Sequence, residues 1–148
     1  MNLRKLLVAA SAFLVLCPLA ATAHEGQIDK AGAPYILHVL RVMLQLTTPE
    51  ERMAATLHDV VEDCGWTLDR LRAEGFSEAV VRGVDAVTRR ESETYEEFVL
   101  RAKTDPIGRR VKMADLEDNS DVTRLAEITE RDLARLEKYR QAIETLSA

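Results

Sequence analysis

Apolar residues recur at intervals of three and four along most of the chain, and no stretch of convincing length alternates with period two. This pattern predicts helices throughout. Residues 3–23 are apolar enough to form one. The segment His24 to Ala33 carries Gly26 and Gly32 and reads as a turn or loop. Pro34 then starts a helix through Leu46, on which Ile36, Leu37, Leu40, Val42, Met43 and Leu44 make a broad apolar face. Thr48-Pro49-Glu50-Glu51 is a helix start, with a threonine cap, proline at the first position and acids in the first turn. That helix is expected to run to about Asp63 and stop at Gly65.

Thr67 opens a short helix ending near Gly75, and Ser77-Glu78 opens another that reaches Val87 or Thr88. Arg89 to Glu93 is a charged connection. Thr94 caps a helix through about Lys103. Asp105-Pro106 repeats the cap-then-proline start for a helix reaching about Asn119. Thr129-Glu130-Arg131-Asp132 resembles a capping box for a last helix to Leu146. The sum is an all-α, compact single-domain bundle of roughly seven or eight helices.

Composition narrows the function class. A chain of 148 residues holds one domain with a real core. Its net charge of -5 argues against nucleic-acid binding, which needs a basic face. A small phosphorylated substrate stays compatible, because a bound cation reverses the local charge. Cys17 and Cys64 make neither a disulfide framework nor a zinc ribbon and read as free thiols.

The N-terminus has two readings. Arg4 and Lys5, the apolar run Leu6 to Leu19, and Ala21-Thr22-Ala23 form the pattern of a secretory signal peptide. The run is too short for a membrane span, and Leu16 before Cys17 departs from a lipoprotein signal. The competing reading is a buried first helix of the domain.

The densest candidate chemistry lies in Leu57-His58-Asp59-Val60-Val61-Glu62-Asp63. Ligand-type side chains beside Val60 and Val61 carry a desolvation cost that a bound metal would offset. On one continuous helix His58 sits over Glu62 and Asp59 over Asp63. The adjacent His58 and Asp59 diverge by about 100°. His38, mid-helix at an apolar face, and Asp115, after Met113-Ala114, supply the missing ligands. Two imidazoles and two carboxylates suit manganese, iron or zinc better than magnesium or calcium.

The order His38, His58-Asp59, Asp115 resembles the HD superfamily of metal-dependent phosphohydrolases. The words Ala23-His24-Glu25-Gly26-Gln27, Lys30-Ala31-Gly32-Ala33-Pro34-Tyr35-Ile36-Leu37-His38, Leu57 to Asp63, and Val111-Lys112-Met113-Ala114-Asp115 narrow it. They resemble the hydrolase domain of RelA/SpoT-type alarmone enzymes, most of all the small stand-alone hydrolases, over about residues 18–125. The resemblance implies that His38, His58, Asp59 and Asp115 hold the metal, usually Mn²⁺. It implies that Glu62 and Asp63 act around the attacking water and leaving group, and that Lys30 and Asn119 contact the nucleotide. The implied reaction is release of pyrophosphate from the 3′-diphosphate of ppGpp or pppGpp by attack of a metal-bound hydroxide.

Two positions depart from the family. Asp29 stands where a basic residue usually lies against guanine, and a carboxylate neither stacks on a base nor attracts phosphate. That leaves another nucleotide or phosphoester, or a non-hydrolysing nucleotide-binding module, as alternatives. Val39 replaces a frequent proline and is expected to be neutral. The resemblance also bears on the N-terminus. It makes the helix ending at Ala23-His24 the domain's first, so that residues 3–148 form one cytoplasmic unit; export, with 24–148 as the domain, is the alternative. No stable membrane span is expected, and the partner is a small nucleotide.

Overall fold

A computed structural model describes residues 20–148. Cys17, and the signal-like run and predicted first helix before Ala20, lie outside the described residues. Residues 20–23 are helical, Ala20 is fully buried, and Ala23 packs against the main core.

The chain then turns through a short loop pinned by an isolated antiparallel bridge between Ile28 and Pro34. Asp29 organises this loop. Its N–H donates to the Ala33 carbonyl at 2.8 Å, and its Oδ1 accepts from the Ala31 and Ala33 N–H groups at 2.9 Å each. Gly32 supplies the left-handed residue that closes the turn, with φ of 80°. Because Pro34 belongs to the bridge, the first complete helix, α1, starts two residues later than expected and spans Ile36–Leu44.

Helix α2, Pro49–Thr56, begins as anticipated: Thr48 accepts from the Glu51 N–H, and the Glu51 carboxylate accepts from the Thr48 N–H. The single helix expected to run from there to Asp63 is broken. Leu57 leaves helical geometry at φ −106° and ψ 1°, and a short α3, Val60–Asp63, follows. The break is held from both sides by burial, since Leu57 and Val60 are completely enclosed. Fully burying such a side chain is worth roughly 1.5–3 kcal/mol, enough to override the helical propensity of one turn. The His58 ring reinforces it by engaging the Ala55 carbonyl through Nδ1 at 2.6 Å.

The remaining elements follow the sequence pattern closely. They are α4 (Leu68–Ala73), α5 (Glu78–Val87), α6 (Tyr95–Thr104), α7 (Pro106–Ser120), a 3₁₀ turn at Val122–Arg124, and α8 (Glu130–Ser147). Thr67, Ser77, Thr94, Asp105 and Thr129 all cap through their side chains, and Thr94–Glu97 is a further capping box. The described residues thus form an all-α bundle of eight α-helices with no strand. Helix α7 is the hub, packing on α1, α2, α5, α6 and α8.

The main core is built from Val42, Leu57, Val60, Leu71, Val80, Val84 and Val111, among others, and a smaller one joins Val99, Leu116, Ala142 and Leu146. Helices α5 and α7 cross so closely that a Cβ on Gly108 would stand 2.5 Å from Ala86 Cβ. The packing of α7 on α1 sets Asp115 beside His38.

Candidate active site

His38 on α1, the His58–Asp59 pair at the α2–α3 break, and Asp115 on α7 come together in the interior. His38 and His58 are each 3% exposed and Asp115 7%, so water solvates none of them appreciably. One ligand-type atom from each of His38, His58 and Asp115 lies within 4.8 Å of the others. The rings of His38 and His58 meet edge-on at 5.4 Å between centroids.

The nitrogen arrangement is informative. The His38 Nδ1 pairs with Asp118 Oδ2 at 2.7 Å, and His58 Nδ1 with the Ala55 carbonyl at 2.6 Å. The carbonyl can only accept, so His58 Nδ1 carries a proton. The carboxylate of Asp118 imposes the same tautomer on His38. Both Nε2 atoms are then lone-pair donors when the rings are neutral; both are buried and neither makes a hydrogen bond of normal geometry, although an Asp59 oxygen lies 2.8 Å from that of His58. They face one oxygen, Asp115 Oδ1, at 3.4 Å from His38 and 3.9 Å from His58. Two buried imidazole nitrogens converging on a carboxylate oxygen fit a divalent cation of the borderline N/O type.

Asp59 is not part of this three-residue group but adjoins it, in a way that corrects the continuous-helix expectation. Its Oδ2 is 2.8 Å from His58 Nε2, so the adjacent side chains converge. The helical break turns them toward each other. The break takes His58 out of the helix that carries Glu62, while Asp59, the N-cap of α3, stays one turn before Asp63, whose N–H donates to the Asp59 carbonyl at 2.8 Å. The Tyr35 hydroxyl donates to the same Asp59 oxygen. Burial, then the Asp59 charge, pushes the Tyr35 pKa up, so the phenol keeps its proton.

The carboxylates are kept ionised by cations and donors around them. Lys112 Nζ stands 2.8 Å from Asp115 Oδ2, and Asn119 Nδ2 donates to Oδ1 at 2.6 Å. Burial opposes ionisation of Asp115, but Lys112 and the two histidines outweigh it and drive its pKa far down. Burial likewise opposes charge on His58, yet Asp59 and Asp115 push its pKa up to about 9. Asp118 accepts from Arg41 Nε at 2.7 Å and from Arg124 Nη2 at 3.2 Å; burial opposes its ionisation, but Arg41 and His38 hold its pKa down.

Glu62 and Asp63 lie on the exposed side of α3. Glu62 Oε1 accepts from the Arg89 N–H, which ties α3 to the charged connection after α5. Arg101 fixes that connection by donating to the Asp85 and Thr88 carbonyls at 2.9 and 2.8 Å and to Glu93 Oε2 at 2.9 Å. Desolvation raises the pKa of Glu62; the Arg89 bond pulls against it and Asp59 adds to the rise. Desolvation and the Asp59 charge raise Asp63 as well.

Lys30 and Asn119 line a cavity of about 340 Å³ together with Tyr35, His38 and Asp118. Desolvation and then the neighbouring Arg135 lower the Lys30 pKa. Asp29 lines the cavity too, though not as the free repelling charge expected from its type. One oxygen is used by the loop, and the other lies 3.6 Å from Arg41 and 3.4 Å from Arg124.

Tyr35, Lys112, Asp118, Arg41 and Arg124 are participants that sequence reasoning did not assign. A signal existed for three of them. Lys112 and Asp118 are one helical turn either side of Asp115, and Tyr35 is three residues before His38.

The fold and this buried histidine–carboxylate cluster define a helical domain built around a metal-type centre. The chain belongs to the HD domain family, whose model matches residues 17–141. It is 36% identical over 116 residues to guanosine-3′,5′-bis(diphosphate) 3′-pyrophosphohydrolase of Haemophilus influenzae, covering 68% of this chain and 17% of that protein. It is 34% identical over 108 residues to the protein of the same name from Aquifex aeolicus, covering 65% of this chain and 15% of that one. It is 35% identical over 136 residues to the GTP pyrophosphokinase of Streptomyces coelicolor, covering 83% and 15% respectively. The chain therefore spans less than a fifth of the length of these curated relatives. Among solved structures, it superposes with a TM-score of 0.73 at 24% identity on a metazoan SpoT ortholog described as hydrolysing ppGpp, covering 91% of this chain and 84% of that one. That likeness concerns the fold. Among the described residues, no helix is long and apolar enough to cross a membrane.

Proposed function

We propose that the chain is a metal-dependent phosphohydrolase that removes pyrophosphate from the 3′-diphosphate of ppGpp or pppGpp. The observation that carries the reading is the convergence of the buried Nε2 atoms of His38 and His58 on Asp115 Oδ1. His38, His58, Asp59 and Asp115 would hold the ion, with Mn²⁺ favoured by the mixed nitrogen and oxygen donors. When bound, that ion supplies Lewis acidity to a phosphoryl oxygen and acidifies water at neutral pH.

The protein's own groups prepare the site for this. Asp118 and the Ala55 carbonyl take the Nδ1 protons, which aims both Nε2 lone pairs inward. Tyr35 fixes one Asp59 oxygen, and Lys112 holds Asp115 in its ionised form. Glu62 and Asp63 would exchange protons with water and leaving group, a role that their raised pKa values support. For Glu62 this falls to Oε2, since Oε1 is held by Arg89. Lys30 and Asn119 bind the nucleotide from the cavity wall. In the net reaction water gives its oxygen to phosphorus, the ribose 3′-oxygen leaves and takes a proton, and pyrophosphate departs.

A nucleotide substrate favours the cytoplasm, with residues 1–23 kept as part of the domain. The buried Ala20 and the core contact of Ala23 support retention. Asp29 favours a second reading, in which the same chemistry serves another nucleotide.

The test is chromatographic assay of purified protein with Mn²⁺ against ppGpp and a nucleotide panel. Turnover is expected, and His58→Ala and Asp59→Ala are expected to lose metal binding and activity together. No turnover of any panel member with metal demonstrably bound would sink the proposal.

A further inference from the structure

Beside the residues of the metal cluster, the cavity is lined by apolar side chains, among them Val122, Leu125 and Leu136, and by the guanidinium of Arg124. The bonding of Arg124 is peculiar. Its Nε lies 3.5 Å from Asp121 Oδ2, and its Nη1 donates to Asp29 Oδ2 at 3.4 Å. Its Nη2 donates to the Asp118 carbonyl at 2.7 Å and to Asp118 Oδ2 at 3.2 Å. Nη1 and Nη2 thus fix the orientation of the planar group and Nε is buried without a hydrogen bond, while the side chain keeps 29% exposure.

Besides the buried Nε, such a group has only one Nη1 hydrogen left for a phosphate. Its surroundings do not attract one either: Arg41 and Arg124 face the three carboxylates of Asp29, Asp118 and Asp121, a net negative cluster. What Arg124 still offers the cavity is a flat face. No aromatic ring is found over it among the described residues, whereas Arg70 and Arg101 each lie over one of the protein's own rings. A delocalised cation whose plane is held by bonds along its Nη edges is pre-organised to stack on a planar ring.

We propose that Arg124 is a base-binding residue: one face of its guanidinium stacks on the nucleobase of the substrate, against walls that include Val122, Leu125 and Leu136, while Asp29, Asp118 and Asp121 hold its plane. This rests on the nucleotide reading above and extends it to the substrate's other end. Phosphate recognition stays with Lys30 and the metal cluster. Asp29 thereby acquires a purpose as a clamp on Arg124. Because stacking grows with ring area, purine nucleotides bind more tightly than pyrimidine ones.

The experiment is calorimetric titration of the full chain with Mn²⁺ present, using GDP and, separately, inorganic pyrophosphate, on the parent, Arg124→Lys and Arg124→His. Lysine keeps the charge and removes the plane; histidine returns a plane. Arg124→Lys is expected to weaken GDP about tenfold, the scale of losing one base-stacking partner, and to leave pyrophosphate within about twofold. Arg124→His is expected to recover part of the GDP affinity, and it keeps the test open if the lysine variant folds poorly. GDP affinity unchanged in Arg124→Lys overturns the inference. So does a parallel loss for GDP and pyrophosphate, which would place the effect in the Asp118–His38 contact. A parent that hydrolyses ppGpp while Arg124→Lys binds GDP normally removes this inference alone. A parent that binds neither GDP nor ppGpp removes the proposed function and this inference with it.

Discussion

Replacing Asp118 by asparagine changes one oxygen to an amide nitrogen, yet the structure makes it a severe test of the metal centre. The Asp118 side chain is 6% exposed. Its Oδ2 meets His38 Nδ1 at 2.7 Å, Arg41 Nη2 at 3.2 Å and Arg124 Nη2 at 3.2 Å, and its Oδ1 takes Arg41 Nε at 2.7 Å. An asparagine that keeps its oxygen toward His38 must aim its NH₂ at the Arg41 Nε, donor against donor. Hydrogen bonds to charged groups are worth about 1.5–3 kcal/mol each and do not add in full. A buried pair broken from one side costs about 3–5 kcal/mol. A loss of about 3 kcal/mol is therefore expected, which lowers the Tm by on the order of 10 °C for a domain of this size. Metal affinity should fall about 10- to 100-fold, because the partner that fixes a ligand's tautomer and orientation is weakened. Thermal melts in EDTA and calorimetric titration with Mn²⁺ measure the two effects separately. Parent-like metal affinity beside a lowered Tm would refute the role of Asp118 in aiming His38, and a parent-like Tm would refute the bonding argument itself.

Three further outcomes are expected. In metal-free protein the His58 pKa is about 9, above its ordinary 6.5. The stability it contributes is complete below the unfolded value and is lost as pH rises through the folded one, up to about 3 kcal/mol. Melts in EDTA should therefore fall between about pH 6.5 and 9. With Mn²⁺, which needs the neutral imidazole, the trend should flatten or reverse; a flat profile in EDTA contradicts the reasoning. Gly108→Ala places a methyl 2.5 Å from Ala86 Cβ at the α5–α7 crossing and should cost about 1–3 kcal/mol by urea unfolding. Deleting residues 1–23 removes the buried Ala20 and should lower stability by at least about 1 kcal/mol, whereas a fully stable, active 24–148 fragment would favour the exported reading.

The helix starts were legible because their signals are local. Thr48, Thr94, Asp105 and Thr129 cap through their own side chains within three residues, so the chain carries that information without its tertiary context. That His38, His58 and Asp115 are candidates for one metal-type cluster was legible from residue type and order. The groups that tune them were harder to see. Arg41 and Arg124 reach Asp118 from different elements, and 77 residues separate Arg41 from Asp118. The partners of Asp29 were not legible, because residue type says only that it is an anion. Its loop bonds and its two arginine neighbours depend on how the 28–34 turn folds onto α1 and the 3₁₀ turn.

The break at Leu57–Asp59 is the most instructive departure, because local signals favour continuity there. No proline or glycine interrupts residues 50–64, and the apolar spacing suits one helix. A continuous helix, however, would send His58 and Asp59 in directions about 100° apart. Burying Leu57 and Val60 on both sides of a non-helical turn resolves this, because the turn lets the two adjacent ligands converge to 2.8 Å. The turn also leaves the Ala55 carbonyl beside the His58 ring, where it sets the tautomer. The adjacent His-Asp pair is thus a demand on the backbone as much as a ligand motif: two neighbouring residues can address one ion when the chain stops being helical between them.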